Sequence, residues 1–397
     1  MYKSIFLSYF FFYFLILFSC KKTEIAPDNI FTRIYEDSNS DISYYPLDFK
    51  QTPDGYLVLA STSIDTTRTW LKTFIMKTGE TGEHEWSVTL DMPYVNPVSN
   101  LISIGSDYYF FSMDAISLGA HLLRINESGQ TAELVQSFPE ILYPLAASKT
   151  SDNGFLVLGY DRETRQTSIT KISSSFSVQW QSKYNVSEDT EEQIVDHLIK
   201  TGRNIPFFTG SVEQGGGGYY FVNGFINYTL SIIFVNSSNG DRTGIAQGFR
   251  YDGGASALMN LQGNTFSLSR FSFGEHFLLS QVDLDMNSIT SLGDIGGSKL
   301  AEIADDAEVR ISKILLNDKP AIVFATNTNN NQVILYIYDL NTGELLVKKY
   351  LGFNNPVKIS SVMQTSDNGL AVLVQTMVTG RFKRICIYKI PKEHLTN

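Results

Sequence analysis

The sequence has few of the residues that form disulfides, metal sites and nucleic-acid interfaces. Its two cysteines are Cys20 and Cys386, and its five histidines occur singly, without a Cys-x-x-Cys, His-x-His or His-Glu-x-x-His spacing. The common zinc signatures are therefore absent. Lys and Arg number 31 against 41 Asp and Glu, so the formal net charge is −10, and so acidic a surface repels phosphate backbones. We expect neither a metal ion nor a nucleic-acid partner.

Motifs of nucleotide-binding and hydrolytic enzymes are also missing. The one glycine run, at 215–218, is followed by Tyr-Tyr-Phe-Val, whereas a phosphate loop needs Lys-Ser/Thr and a helix. The segment 296–300, Gly-Gly-Ser-Lys-Leu, fails the nucleophile-elbow pattern at its last position. The segment 283–287 resembles the start of an EF-hand loop, but Ser288 replaces the required glycine. These failures favour a protein without cofactor or catalytic residues.

The N-terminus predicts export and a lipid anchor. One lysine precedes an apolar stretch at 5–18, which is typical of a secretory signal and too short for a comfortable membrane span. The following Ser-Cys resembles a lipobox, although Phe18 is bulkier than usual there. Two or three acyl chains make membrane attachment stable. We predict a signal peptide at 1–19, and a lipidated Cys20 that begins a tether at 20–29. A plain cleaved signal and an uncleaved anchor helix are the alternatives.

Internal repeats organise the rest of the chain. The segments 50–59, 149–158 and 364–373 each contain a Thr-x-Asp-(Asn)-Gly turn followed by an apolar run. Asp-Gly and Asn-Gly supply the positive φ of a tight hairpin, so each segment predicts two paired strands. A second hairpin follows at 73–90 and at 168–184, and the same half-pattern recurs where the first has eroded, at 121–129, 232–240, 278–287 and 335–343.

The repeats predict the fold. Units begin near Pro46, Pro97, Tyr143, Gln193, Ser256, Glu308 and Pro356, at spacings of 46 to 63 residues. Four short strands in about 50 residues is the period of a propeller blade. We predict an all-β fold, a seven-bladed β-propeller of four-stranded blades in one domain at 30–397. Six or eight blades remain open, because the long fourth unit holds the irregular stretch 211–218. A pair of β-sandwiches is an alternative fold, but it would not repeat one unit along the chain. The best helix candidate is 298–307.

The two ends of the predicted domain complement each other. The last unit stops after its third strand, at 384–390, while the strand-like segment 30–36 has no hairpin partner. We predict that the N-terminal strand completes the last blade and closes the ring, which hides two strand edges. Cys386 lies in the third strand of that blade and is expected to be a small buried hydrophobe.

The turn motif, the apolar run and a Gly-x-x-x-Trp step at Trp86, with Trp180 at the same place in the third unit, resemble the β-propeller repeats of exported lipoproteins in glycan-harvesting Gram-negative bacteria. The resemblance covers 30–393. It implies the fold and a cell-envelope location, and no acidic residue directly follows Cys20, which is typical of outer-membrane lipoproteins. We therefore expect an outer-membrane lipoprotein that faces the periplasm or the cell surface.

Candidate ligand contacts come from the loops. In a blade, the loops after the second and fourth strands share one face, opposite the Thr-x-Asp-Gly turns. Aromatic rings stack on sugars or peptides, and guanidinium groups bind oxygens in pairs. On this basis we predict ligand contacts by Trp70, Tyr94, Tyr219, Tyr220, Tyr251 and Arg162.

The sequence therefore favours a lipid-anchored scaffold that binds carbohydrate or a protein partner, as a monomer or as a subunit of an envelope complex. A propeller enzyme acting on polysaccharide, as a lyase or hydrolase, is the alternative.

Overall fold

The computed structural model describes residues 30–35, 41–64, 70–187, 190–202, 204–212, 218–250, 252–378 and 382–396. These ranges contain thirty strands and one α-helix. None of their helices is long and apolar enough to span a bilayer. The predicted signal peptide, Cys20, the tether and Tyr251 lie outside them. The predicted all-β class is confirmed.

The first of the sheets has nine strands and contains two four-stranded antiparallel units. A single strand, β1 (Phe31–Tyr35), precedes them in the chain. The first unit consists of β2 (Ile42–Thr52), β3 (Gly55–Ile64), β4 (Lys72–Gly79) and β5 (His84–Thr89). The two-residue strand β6 (Tyr94–Val95) pairs with β4 and with β8 (Asp107–Asp114) of the second unit, and so joins the two units. The second unit consists of β7 (Ile102–Ile104), β8 (Asp107–Asp114), β9 (Gly119–Asn126) and β10 (Thr131–Leu142).

The next two units are separated by the helix. The third unit consists of β11 (Ala146–Lys149), β12 (Phe155–Asp161), β13 (Gln166–Ile172) and β14 (Val178–Asn185). Helix α1 (Thr190–Leu198) follows. The fourth unit consists of β15 (Phe208–Val212), β16 (Tyr219–Ile226), β17 (Thr229–Asn236) and β18 (Arg242–Gln247).

The remaining units complete the chain. The fifth unit consists of β19 (Gly253–Gln262), β20 (Thr265–Ser272), β21 (Glu275–Asp283) and β23 (Ser298–Lys299). Between its last two strands, β22 (Ile289–Ser291) pairs in parallel with β18, and a 3-10 helix covers Leu292–Asp294. The sixth unit consists of β24 (Val309–Leu316), β25 (Lys319–Asn327), β26 (Val333–Asp339) and β27 (Leu345–Leu351). The last unit contains β28 (Val357–Gln364), β29 (Leu370–Val378) and β30 (Phe382–Ile390), followed by the 3-10 helix Lys392–His394.

β1 belongs to the last unit. It pairs antiparallel with β30, with Phe31 opposite Lys389 and Tyr35 opposite Ile385, and the sheet runs β1-β30-β29-β28. The first strands of neighbouring units contact one another, in the pairs β7–β11, β11–β15, β15–β19, β19–β24, β24–β28 and β28–β2. Successive four-stranded antiparallel sheets that meet along their first strands form a β-propeller.

The second strand of a unit is covered on both faces. Every residue of β12 is buried, and the apolar runs of β3 and β29 are buried as well. Such strands read as continuous apolar runs rather than as alternating patterns, because neither face meets water. Cys386 is buried as predicted, and burial raises the pKa of its thiol to about 12.

Each of the three predicted turns carries an ion pair to a buried lysine of the third strand. The ammonium–carboxylate pairs are Lys77–Asp54 at 2.7 Å, Lys171–Asp152 at 2.8 Å and Lys389–Asp367 at 2.7 Å. In the two Asp-Asn-Gly turns, Asn153 and Asn368 adopt the positive φ. The position after the asparagine has no room for a side chain, because a Cβ on Gly154 would lie 2.2 Å from the Ile172 carbonyl oxygen.

Two predictions about the irregular parts are wrong. The segment 298–307 is not helical: it holds β23 and turns, and Ile303 forms a bridge to Thr328 of the next unit. Its helix-like apolar spacing is overridden by these tertiary contacts. The extra length of the fourth unit is α1 and the chain that follows it, so the first strand of this unit begins at Phe208, well after Gln193.

Candidate functional site

The two ends of the units differ in what they carry. We call "turn face" the end with the turns between first and second strands, and "loop face" the end with the connections between second and third strands and between units. Helix α1 connects the third unit to the fourth and therefore lies on the loop face. Ile194 and Leu198 are buried one turn apart, and Glu191 and Glu192 lie in the first turn, where acidic side chains are favoured.

A cavity of about 280 Å³ lies at the loop-face end of the space between the first strands. We call it the channel mouth. Every unit contributes at least one lining residue from its first strand or from the chain just before it, and examples in chain order are Tyr45, Asn96, Pro144, Phe207, Ser256, Arg310 and Ser360. The end of α1 and the following residues, including His197 and Lys200, complete the lining.

Cations outnumber anions in the channel mouth. The charged lining residues of the described chain are Lys200, Arg310, Lys358 and Lys383 against Asp306 and Glu308, with the histidines neutral. This excess stands out on a chain whose formal net charge is −10. The channel mouth therefore carries a local excess of positive charge.

Glu308 is the acid held most firmly in this cluster. Its Oε2 lies 2.7 Å from Arg310 Nη2 and its Oε1 lies 3.1 Å from Lys358 Nζ. Burial alone would raise its pKa, but the neighbouring cations outweigh this effect and lower the pKa of Glu308 to about 2. Glu308 is therefore ionised at neutral pH and cannot donate a proton there.

Lys200 is a lysine of this cluster with a lowered pKa. Burial and the charges of Lys358, Arg310 and Lys383 together lower its pKa to about 8, although Glu308 opposes them. Its Nζ makes one long hydrogen bond, of 3.4 Å, to Asn204 Oδ1. The charge of Lys200 can therefore change near physiological pH.

His197 is a neutral member of the lining. Burial and the charge of Lys200 lower its pKa well below the ordinary value. Its Nδ1 accepts a hydrogen bond of 3.0 Å from the Ile205 amide, so the remaining proton is assigned to Nε2. Its ring packs edge-on against Phe207. His197 thus fixes the chain after α1 against the channel mouth.

Two of the predicted ligand residues lie close to α1. Trp70 packs edge-on against Tyr143, at 6.2 Å between ring centroids, and Arg162 forms an ion pair of 3.2 Å with Glu191 of the helix. Trp70 also lines a mostly apolar cavity of about 620 Å³, shared with Lys72, Met92, Val95, Ala115, Val195 and Ile199. This cavity flanks α1 on the side of the first two units.

Tyr94, Tyr219 and Tyr220, the other predicted ligand residues that the structure describes, do not join them. Tyr94 lies on the loop face, but its ring packs against His121 at 5.3 Å. Tyr219 and Tyr220 begin β16 and so lie on the turn face, contrary to the prediction, because the glycine run joins the first strand of its unit to the second. Tyr220 is buried against Trp180, and the Tyr219 hydroxyl donates to Asn287.

Most of the hydrophobic side chains that are more than half exposed in the described chain lie on the loop face. Seven large hydrophobic side chains are more than half exposed, and six of them lie on loop-face connections: Met92, Ile116, Tyr228, Phe249, Phe273 and Phe353. The seventh, Ile289, lies on β22. Of these side chains, Phe249 and Phe273 pack against each other, with 5.5 Å between their ring centroids.

The channel-mouth cations were not predicted from the sequence. Lys200, Arg310 and Lys358 come from three parts of the chain that no motif connects. The one available signal was the 63-residue length of the fourth unit, which indicated an insertion.

No protein-family model matches the chain, and no curated protein matches it significantly. The solved structures that are similar in part include the following three. The β-propeller domain of the Trilobed protease from Pyrococcus furiosus has 11% identity and a TM-score of 0.49 over 87% of this chain and 93% of that one. An acylaminoacyl peptidase complex has 13% identity and a TM-score of 0.48 over 87% of this chain, which spans about half (51%) of the peptidase. A mutant of AofleA from Arthrobotrys oligospora has 11% identity and a TM-score of 0.44 over 78% of this chain and 88% of that one. Nothing about ligand or activity follows for this chain at these scores.

Proposed function

We propose that this protein is a lipid-anchored scaffold of the bacterial outer membrane that holds a protein partner on its loop face. The observation that carries the proposal is the concentration of exposed hydrophobic side chains on that face. Aromatic and Met side chains are enriched in protein interfaces. A protein fits this surface better than a sugar, because Ile116 and Met92 offer no ring and the rings of Phe249 and Phe273 are inclined by 45° rather than forming a flat platform.

The proposed anchor would direct the loop face away from the membrane. Phe31 lies opposite Lys389, whose ammonium bonds to Asp367 in a turn, so β1 begins at the turn face. A lipid on Cys20 would be ten residues from Ile30 along the chain. The turn face would then be nearer the membrane, and the loop face would be directed away from it.

We also propose that the β-propeller has seven blades and that β1 closes the ring. The pairing of β1 with β30 and the contact of β28 with β2 support this arrangement. A closed ring leaves no free strand edge between the first and the last blade.

Site-specific photo-crosslinking in intact cells tests the partner proposal. The crosslinking amino acid p-benzoylphenylalanine would replace Phe273 or Phe353 on the loop face and, as the matched control, Leu315, which is exposed at the turn-face end of the sixth unit. We expect one discrete crosslinked protein from the two loop-face positions and none from position 315. Equal crosslinking from position 315, or none from the loop face, would contradict the proposal. Loss of the crosslink on adding a purified surface polysaccharide would instead assign the face to carbohydrate.

A further inference from the structure

We propose that the channel mouth is a binding site for a small oxyanion group, a carboxylate or a phosphate, which enters among Lys200, Lys358 and Lys383. The proposal rests on the proposed function in one respect: the anion is part of what the loop face recognises. The experiment below uses small molecules, so its result does not depend on the protein partner.

The first argument is incomplete charge compensation. Glu308 forms ion pairs with Arg310 and Lys358, whereas Lys200 and Lys383 form no ion pair with a described carboxylate. The ammonium of Lys383 lies over the Tyr45 ring, 4.3 Å from its centroid. Ammonium groups in a partly enclosed cavity repel one another unless an anion lies between them. A bound oxyanion would supply that charge.

The second argument is independent of charge. Asn96 lines the channel mouth and is 4% exposed, yet its Nδ2 has no hydrogen-bond partner among the described residues. Its Oδ1 accepts from the Leu71 amide at 2.9 Å, which fixes the orientation of the amide. Ser61, fully buried in the same lining, likewise has a hydroxyl without a partner. A buried donor without an acceptor is unfavourable, so an acceptor oxygen that reached these groups would be stabilised.

The geometry also limits the ligand. Arg310 is largely occupied, since its Nε donates to the Ser360 carbonyl at 2.6 Å and its Nη2 contacts Glu308. Lys200 and Lys383 remain without a carboxylate partner among the described residues, and ammonium groups bind carboxylate and phosphate as point charges without demanding a planar fork. A cavity of about 280 Å³ admits an anionic group with a small skeleton, not a polymer.

Calorimetric titration of the folded, signal-free protein with citrate, inorganic phosphate, and the matched pair D-glucuronate and D-glucose tests the site. We expect saturable binding of citrate or phosphate, and glucuronate to bind more tightly than glucose. Lys200→Met and Lys358→Met should each weaken binding about tenfold, the size of a lost charged hydrogen bond. Lys319→Met, which removes an exposed charge on the turn face of the sixth unit, should leave binding unchanged.

Two further readouts separate binding from mere loss of folding. Glu308→Gln removes the competing carboxylate and should tighten citrate binding, a gain that misfolding cannot produce. At pH 8, citrate binding should be accompanied by proton uptake, because a nearby anion raises the pKa of Lys200, and the observed enthalpy should then vary with the buffer. Lys200→Met should abolish this variation.

The outcomes are distinct. Citrate and glucuronate without phosphate would identify a carboxylate site, and phosphate alone a phosphate site. The proposal is overturned if no anion binds with a dissociation constant below about 10 mM. It is also overturned if Lys200→Met and Lys358→Met bind the anion as tightly as the wild type does. The loop-face crosslinks would be unaffected by that result, so the two proposals can fail separately.

Discussion

Asp48 Oδ1 accepts a hydrogen bond of 2.6 Å from Ser361 Oγ, a residue 313 positions away in the chain. Its Oδ2 accepts at 2.9 Å from the buried Leu101 amide, which lies just before the second unit. One nearly buried carboxylate therefore connects the last, the first and the second unit. Removing it would leave donors from two neighbouring units unpaired.

Asp48→Ala should destabilise the protein by about 2 kcal/mol, because the Leu101 amide and the Ser361 hydroxyl would lose their acceptor inside the protein. The measurement is the free energy of unfolding from urea titration. Asp48→Asn keeps an acceptor oxygen and should cost less, and Asp294→Ala, at an exposed site, should have no effect. Equal stabilities for Asp48→Ala and wild type would show that this contact contributes nothing.

Deletion of residues 31–35 should destabilise the whole domain. Without β1, the backbone edge of β30 is left unpaired, and unpaired edges promote aggregation. Thermal unfolding and light scattering measure both effects. Deletion of residues 21–29 is the matched control, since it shortens the same end and keeps β1. A melting temperature unchanged by the first deletion would contradict ring closure.

Asp152→Asn should destabilise by about 1–3 kcal/mol, because the ammonium of Lys171 would stay buried without its counter-ion. Lys171→Met should cost less, since it leaves no buried charge. Urea unfolding compares the two variants, with Glu163→Gln as the exposed control. If Lys171→Met were the more damaging, the lysine would be important for packing rather than for charge.

The same ion pair predicts a pH dependence. Partial burial raises the pKa of Asp152, but the hydrogen bonds from Lys171 and Thr150 outweigh it, so the folded-state pKa is lowered. A lowered carboxyl pKa stabilises the folded state above the ordinary value of about 4, and this stabilisation is lost as the pH falls below it. The stability difference between wild type and Asp152→Asn should therefore shrink between about pH 5 and pH 3. A difference that grows on acidification would reverse the assigned sign.

Cys20→Ala should release the protein from membranes, because acyl chains and not a helix are proposed to hold it. Fractionation of cells followed by immunoblotting measures this, and Cys386→Ala, which removes a buried thiol, is the control. A Cys20→Ala protein that still sediments with membranes would contradict the lipid anchor.

The repeat pattern by itself determined the class of fold. Turn motifs such as Thr52 to Gly55 fix hairpins locally, and four-stranded periodicity indicates a propeller whatever the contacts between units. The burial of Cys386 followed from its apolar strand for the same local reason. The number of blades and the closure of the ring stay predictions. The pairing of β1 with β30 is the observation that supports them.

Only the tertiary structure decided where the site is. Helix formation at 190–198 rather than at 298–307 depends on which apolar stripe finds a partner surface, and a single sequence does not contain that information. The sequence prediction begins the fourth unit near Gln193 instead of at Phe208. This shifts the strand assignment in that unit and places Tyr219 and Tyr220 on the loop face instead of the turn face. Lys200, Arg310 and Lys358 carry no motif, and only the fold brings them to one cavity. Local turns are encoded by neighbours in sequence, whereas this electrostatic site is made by neighbours in space.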